Sequence, residues 1–340
     1  MTSSGKTSVA RLALVGDLGG THARFALADC SEPVPVVWAS SSLRCMDFAS
    51  AEQAIQQYLA SANIAVRPSV AVLAAAGPVI DGAVRFTNNH WHCSESALHA
   101  MGFRSAKLLN DFEALAHAAA LLGADDLTAL GPQRSGEADG NIVVLGPGTG
   151  FGLSVLIRAG GTPTVLATEA GNVAFAPNDA LEGEILKRLR PRLSLVCVES
   201  LLSGPGLINL YGALCEIAQQ PVATPMQTAP TPATVTRLAA AGDALATETI
   251  QRFCEILGSV AGDAALAYGA RGGIYVTGGV ADALSAALLQ SRFRERFEAK
   301  GRYADYVRAV PSALIRRPQP ALLGAARVAR TLALTLPPAS

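Results

Sequence analysis

Residues 12–27 read LALVGDLGGTHARFAL, and residues 142–157 read IVVLGPGTGFGLSVLI. Each is an apolar strand, a glycine-rich turn carrying a threonine, and a second run with β-like alternation, the pattern of a hairpin. One layout heading each half of the chain predicts two related α/β domains facing each other across a cleft. A successive run of backbone N–H groups in such a turn forms a concave anion site, because a missing Cβ lets a phosphate approach. Ordinary β-turns also use Asp and Gly, so one turn alone carries little; two at matching places carry more.

Outward from these hairpins, apolar strands alternate with amphipathic helical stretches, which argues for sheets covered by helices. The pattern predicts a helix over 48–63, a buried strand over 69–77, a short strand over 106–110 and a helix from Asp111 onward. GPQRSGEADG (131–140) reads as a loop, GGIYVTGG (272–279) as a strand and turn, and PALLGAARVAR (320–330) as a closing helix. The stretch 219–235, QQPVATPMQTAPTPATV, is rich in Pro and Thr and reads as an exposed connector.

Composition narrows the function. The chain has 340 residues, half of them hydrophobic and only 16% charged, enough for two domains with substantial cores. Lys plus Arg equals Asp plus Glu at 27 each, which gives no electrostatic reason to expect nucleic acid or an anionic membrane as partner. The six cysteines form no C-x-x-C pair and read as reduced thiols. No secretory signal and no apolar run long enough for a membrane span is present, so we expect a soluble, cytoplasmic protein.

Two familiar phosphate motifs fail. GKT at 5–7 lacks the upstream glycine of a Walker A loop, and the third glycine of a dinucleotide fingerprint would fall at Phe151. What remains is a glycine turn inside a hairpin, twice, with Asp17 at the head of the first. Asp17 suits a hydrated Mg²⁺ beside phosphates, because a hard cation prefers carboxylate and water oxygens. Asn110 and Asp111 stand where a strand ends and a helix begins. Both are good helix caps, yet a carboxylate at that edge of an α/β sheet also suits a base that accepts the proton of an attacking hydroxyl. His90, Trp91 and His92 read as packing or rim residues, not metal ligands.

Together, GDLGGTHAR (16–24), TNNHW (87–91), LNDFEAL (109–115), GPGTGFG (146–152), ESLLSGPGLINLY (199–211) and VTGGV (276–280) resemble the bacterial glucokinase family of the hexokinase–actin–Hsp70 ATPase superfamily. The similarity runs in the family's order from about residue 11 to residue 330. The related ROK kinases usually carry a cysteine-rich zinc motif, which this sequence lacks. The resemblance implies two ribonuclease H-like, actin-like ATPase α/β domains: a small one of 1–121 plus 320–340 and a large one of 122–319. It implies ATP-dependent phosphorylation of glucose at the 6-hydroxyl, with ATP and Mg²⁺, in a homodimer.

Residue by residue, Asp17, Gly19, Gly20 and Thr21 match the first phosphate motif, with Asp17 near Mg²⁺ through water. Gly148, Thr149 and Gly150 match the second. Ser203, Gly204, Gly206, Gly278 and Gly279 match segments bordering the adenosine. Asn110 and Asp111 match the sugar-binding pair, with Asp111 as the base, and Glu169 and Glu199 match two further sugar contacts. Asn88 lies in the segment that closes over the sugar. Glu199 also reads as the head of a helix, where a carboxylate is favoured by the dipole.

One departure stands out. The family usually reads E-G-G-H where this chain reads Glu169-Ala170-Gly171-Asn172, with Gly171 expected to let the backbone bend. Asn172 replaces a histidine near the anomeric end of the sugar; it is shorter and carries no charge. That leaves open a kinase for another hexose or amino sugar, and a sugar-binding regulator that has lost turnover.

Overall fold

The computed structural model describes residues 11–86 and 89–337. The chain divides into two compact units. One runs to Leu122 and resumes at Arg317; the other is Gly123–Arg316.

The first unit is built on a five-stranded sheet. β1 (Leu12–Leu18) and β2 (His22–Asp29) form the expected hairpin, and β3 (Val36–Arg44) continues it antiparallel. The β2–β3 ladder shifts register between Phe25 and Leu27, opposite Ala39, which takes a φ of +52°. That bulge twists the edge strand. β4 (Val70–Ala75) joins β1 in parallel. After a small ribbon of β5 (Ala83–Arg85) and β6 (His92–Ser94), β7 (Ser105–Asn110) adds in parallel to β4. All six residues of β4 are buried, as a strand covered on both faces requires.

One face of this sheet packs Leu14, Leu18, Phe25 and Leu73 against Ile55 and Tyr58 of α1 (Ala51–Ser61). Helix α1 starts three residues later than the periodicity predicts, because Ser50 caps it by accepting the Gln53 N–H. Trp91 lies in the same core and donates its indole N–H to the Phe48 carbonyl, while His90 and His92 stay exposed. After α2 (Glu95–Ala100), α3 (Asp111–Ala119) packs with the C-terminal helix Pro320–Thr335, which crosses β1 and β4. A Cβ on Gly324 would sit 1.7 Å from the Ala114 carbonyl oxygen, so the crossing of the two helices depends on glycine there.

The second unit repeats the plan. Its sheet contains β9 (Ile142–Pro147) and β10 (Phe151–Ile157) as the hairpin, β11 (Thr164–Thr168) antiparallel to β10, then β12 (Gly273–Val276) and β13 (Ser312–Ile315) in parallel. β8 (Leu127–Ala129) adds an antiparallel edge. The strand order β3-β2-β1-β4-β7 thus recurs as β11-β10-β9-β12-β13.

Its helices are α4 (Ala180–Leu189), α5 (Gly204–Ile217), α6 (Thr224–Thr228), α7 (Pro232–Ala240) and the long α8 (Ala244–Ala267). Four short ones follow: α9 (Gly279–Ala283), α10 (Ser285–Gln290), α11 (Phe293–Glu298) and α12 (Ala304–Arg308). Val143, Leu145, Ile274 and Val276 of the sheet share one core with Phe253, Ile256 and Leu257 of α8.

The stretch 219–235 is not a bare connector. It forms α6 and enters α7, and Met226, Thr234 and Val235 are buried. Pro225 and Pro232 stand in the first turns of these helices, where a missing N–H leaves no hydrogen bond unmade, so they start helices and do not break them.

Candidate active site

The first turn is braced across its hairpin. Asp17 and Arg24 are cross-strand partners, with the guanidinium 3.2 Å from the carboxylate. Burial pushes the Asp17 carboxyl above its ordinary value, and the Arg24 charge only partly opposes this. The Gly19 N–H donates to the His22 carbonyl at 2.9 Å, and Gly20 and Thr21 form the tip. The Asn89 amide reaches the Gly19 carbonyl at 3.3 Å and accepts the Trp91 N–H at 2.7 Å. This contact was missed in the sequence; TNNHW offered only the asparagine pair as its signal. Asn88 itself lies outside the described residues.

Strand register sets the next pair. Leu18 of β1, Ala75 of β4 and Asn110 of β7 lie in one row at the carboxyl edge. Asp17 is one residue inside that edge, two strands and therefore about 10 Å from β7. Asn110 is the N-cap of α3, accepting the Phe112 and Glu113 N–H groups at 2.9 and 3.4 Å. Glu113 returns the bond to the Asn110 N–H, closing a capping box. The Asn110 amide also donates to the Gly77 carbonyl at 3.1 Å, which fixes its orientation and leaves one amide hydrogen for a ligand. Asp111, the first helical residue, is half-buried and accepts the Phe112 N–H at 2.9 Å. Its carboxylate therefore stands at the positive end of a helix dipole.

The second turn is braced by backbone. The Gly148 N–H donates to the Gly150 carbonyl at 2.7 Å, and the Gly148 carbonyl accepts the Gly204 N–H at 2.9 Å. Ser203 caps α5 through the Gly206 N–H and donates its own hydroxyl to the Glu199 carbonyl at 2.8 Å. Gly278 adopts a φ of +105°, and a Cβ there would lie 2.4 Å from the Pro147 carbonyl oxygen. An open cleft of about 470 Å³ is lined by Gly148, Thr149, Gly204, Pro205, Pro232 and Gly279. Of the predicted adenosine residues, Gly204 and Gly279 line it; Ser203, Gly206 and Gly278 are not among its lining residues. Two other cavities of this unit, about 430 and 390 Å³, contain none of the predicted residues.

Glu169 precedes and Asn172 ends a single helical turn after β11, both exposed. Gly171 is buried and does not take a positive φ. The bend expected of it is not why it is glycine: a Cβ would stand 2.3 Å from the Phe151 carbonyl oxygen, so the position is set by close approach. Nor does Glu199 head a helix. It lies in a turn four residues before the Ser203 cap, and its Oε2 accepts the Phe151 N–H at 2.7 Å.

Among the described residues, no group of three or more His, Cys, Asp or Glu could hold a metal. All six cysteines are free and buried. Asp17 as a lone carboxylate fits a Mg²⁺ held mainly by phosphates and water, not an all-protein cage. No described helix is long and apolar enough to cross a membrane.

The family model described as Glucokinase matches residues 14–332. Glucokinase of Caulobacter sp. strain K31 is 48% identical over 327 residues, covering 95% of this chain and 96% of that protein. The crystal structure of glucokinase from an Antarctic psychrotroph matches at a TM-score of 0.86 and 35% identity, covering 94% of this chain and 99% of that one. A ROK family glucokinase from Streptomyces griseus, solved with glucose and AMPPNP, shares the fold at 20% identity and a TM-score of 0.62, with 94% and 99% covered. Both units therefore have the actin-like ATPase architecture that their repeated strand order indicates. With a family match over nearly its whole length and a relative 48% identical over 95% of the chain, the chain belongs to the glucokinase family.

Proposed function

We propose that this protein transfers the γ-phosphoryl group of ATP to the 6-hydroxyl of glucose, giving glucose 6-phosphate and ADP. The observation that carries the reading is the carboxyl edge of the first sheet. It holds a glycine turn headed by Asp17 and, two strands away, a half-buried Asp111 at the start of a helix. Asp111 accepts the proton of the 6-hydroxyl as its oxygen attacks the γ-phosphorus, and the bond to the ADP oxygen breaks. Asn110, locked by its cap and by Gly77, offers its remaining amide hydrogen to a sugar oxygen. Glu169, Asn172 and Glu199 supply further sugar contacts, and Asn88 belongs with them.

Gly19, Gly20 and Thr21, with Gly148, Thr149 and Gly150, present backbone donors to the phosphates. The cleft beside Gly204 and Gly279 takes the adenosine, while Ser203 and Gly206 hold the start of α5 and Gly278 lets the chain pass close to Pro147 behind it. Asp17 would hold Mg²⁺ through water, and the ion would supply neutralisation of phosphate charge. The active species is a cytoplasmic homodimer, which light scattering of the purified protein checks.

A second reading is favoured by Asn172, which is exposed and makes no side-chain bond to the described residues. It directs the same chemistry to another hexose or to an amino sugar. A coupled assay with ATP and Mg²⁺ over glucose, mannose, fructose, glucosamine and N-acetylmannosamine separates the two. A flat response to glucose with turnover of another sugar selects the second; no turnover of any sugar leaves a binding regulator.

A further inference from the structure

Three contacts in the second unit close a triangle. The Phe151 N–H, at the end of the second glycine turn, donates to Glu199 Oε2 at 2.7 Å. The Glu199 N–H donates to the Gly171 carbonyl at 2.8 Å. Gly171 packs so closely on the Phe151 carbonyl that a Cβ would lie 2.3 Å from its oxygen. The Phe151 residue is thus gripped at its N–H by Glu199 and at its carbonyl by the segment that carries Glu169 and Asn172. A fourth contact adds to this, because a Cβ on Gly150 would sit 2.4 Å from Glu199 Oε2. The carboxylate lies directly on the glycine turn, while its Oε1 takes no hydrogen bond from the described residues.

A carboxylate is rigid and planar, so a sugar hydroxyl that fixes Oε1 also holds Oε2 where it meets the Phe151 N–H. Oε2 holds the first residue of β10, and the main chain of that residue fixes the end of the Gly148–Thr149–Gly150 turn. We infer that Glu199 is a positioning residue for the phosphate turn as well as a sugar contact. Through the Glu199–Phe151–Gly171 triangle, hexose and nucleotide binding strengthen each other. The inference rests on the kinase reading above and deepens it. Reciprocity requires that glucose tighten the nucleotide by the same factor by which nucleotide tightens glucose, about 5-fold or more for a coupling of ordinary size.

The test is calorimetric titration of AMPPNP into the full-length protein, with and without glucose, for wild type, Glu199→Ala, Glu199→Gln and Gly171→Ala. Glu199→Gln keeps an oxygen to accept the Phe151 N–H but lacks the charge that a sugar hydroxyl meets. It should raise the glucose KM while leaving AMPPNP affinity without sugar within about 2-fold, on the order of the loss for an exchanged acceptor. Glu199→Ala should weaken AMPPNP without sugar by about 5-fold and abolish the coupling, as loss of one backbone anchor predicts. Gly171→Ala leaves the carboxylate in place but displaces the Phe151 carbonyl, and should weaken AMPPNP in the same direction.

The inference is overturned if Glu199→Ala and Gly171→Ala both bind AMPPNP as wild type does, with only the glucose KM raised. Equal weakening in the Gln and Ala variants also overturns it, since the Gln retains the bond. Failure of the kinase reading shows separately, as a wild-type protein that turns over no hexose.

Discussion

The two glycine turns occupy the same place in the same strand order, yet they are held in different ways. Gly16 and Gly146 are equivalent, each ending the apolar part of its first strand. A Cβ on Gly16 would meet the Leu73 Cδ2 at 2.6 Å, the end of a side chain that can rotate. A Cβ on Gly146 would lie 1.6 Å from the Thr277 carbonyl oxygen, which cannot. The next residue is Asp17 in one turn and Pro147 in the other. After the last parallel strand, the first unit continues into Asp111 and the second into Arg316. Each turn has a main-chain bond across it; the first adds the Asp17–Arg24 ion pair, while the second adds main-chain contacts to Gly204 and Gly278 and lies beside a cleft. On the proposed reading, the shared fold sets the base in the first unit and the adenosine in the second, with a phosphate turn in each.

The largest effect that follows is on turnover. Asp111→Asn should lower kcat by about 10²- to 10⁴-fold, the usual contribution of a positioned base, while glucose still binds. Unchanged turnover, measured at saturating ATP and glucose, removes Asp111 as the base and places the chemistry elsewhere. The glycines come next. Gly146→Ala should destabilise the protein by about 3 kcal/mol, the upper range for overpacking against fixed atoms, and Gly16→Ala by about 1 kcal/mol. Urea unfolding of both variants tests this directly. Equal losses would show that the two turns are braced alike after all.

Much of the repeated fold was legible in the sequence, for a physical reason. Hairpins, strand ends and glycine turns are local, and the echo of residues 12–27 in residues 142–157 already contains the repeated topology. What was not legible depends on partners far along the chain. The bond from Phe151 to Glu199 spans 48 residues, so Glu199 read as a helix head. Gly171 read as a bend because its true constraint, the Phe151 carbonyl, comes from another strand. The stretch 219–235 read as a connector because first-turn prolines such as Pro225 and Pro232 look like loop prolines without the helices that follow.

Buried charge gives a further contrast between the units. In the first, His117 Nδ1 accepts the Arg327 N–H at 2.8 Å, and the ring must be neutral to do so. Burial, and then the Arg327 charge, lower its pKa from 6.5 to about 4. The unfolded chain therefore binds the extra proton between those values, so the contribution is complete above pH 6.5 and is lost as pH falls toward 4. In the second unit, burial alone would raise the Asp179 pKa. The Glu182 N–H, Arg252 and Arg296 outweigh it, so the value is lowered from 3.8 and stability is lost only below that. Hydrogen exchange at pH 5 should show α3 and the C-terminal helix opening before α4 and α8. His117→Gln should restore about 1–2 kcal/mol to the first unit at that pH. Simultaneous opening of both units would erase the contrast.

The smallest effect concerns Asp17, where function and stability pull apart. Burial raises its pKa above 3.8, so charging the carboxyl in the folded state is unfavourable, and Arg24 does not fully compensate. The sign is opposite to that of Asp179: stability falls as pH rises from the unfolded value through the folded one. Asp17→Asn removes that burden and leaves Arg24, whose side chain is 43% exposed, to water. The variant should match or exceed wild type in thermal stability at pH 7, by 0 to about 1 kcal/mol, while kcat/KM for ATP falls by about 10-fold. Pro147, the equivalent residue of the second turn, carries no charge to lose, so Pro147→Ala should show neither the gain nor the pH dependence. A strongly destabilised Asp17→Asn would mean that the ion pair holds the first turn as firmly as backbone contacts hold the second.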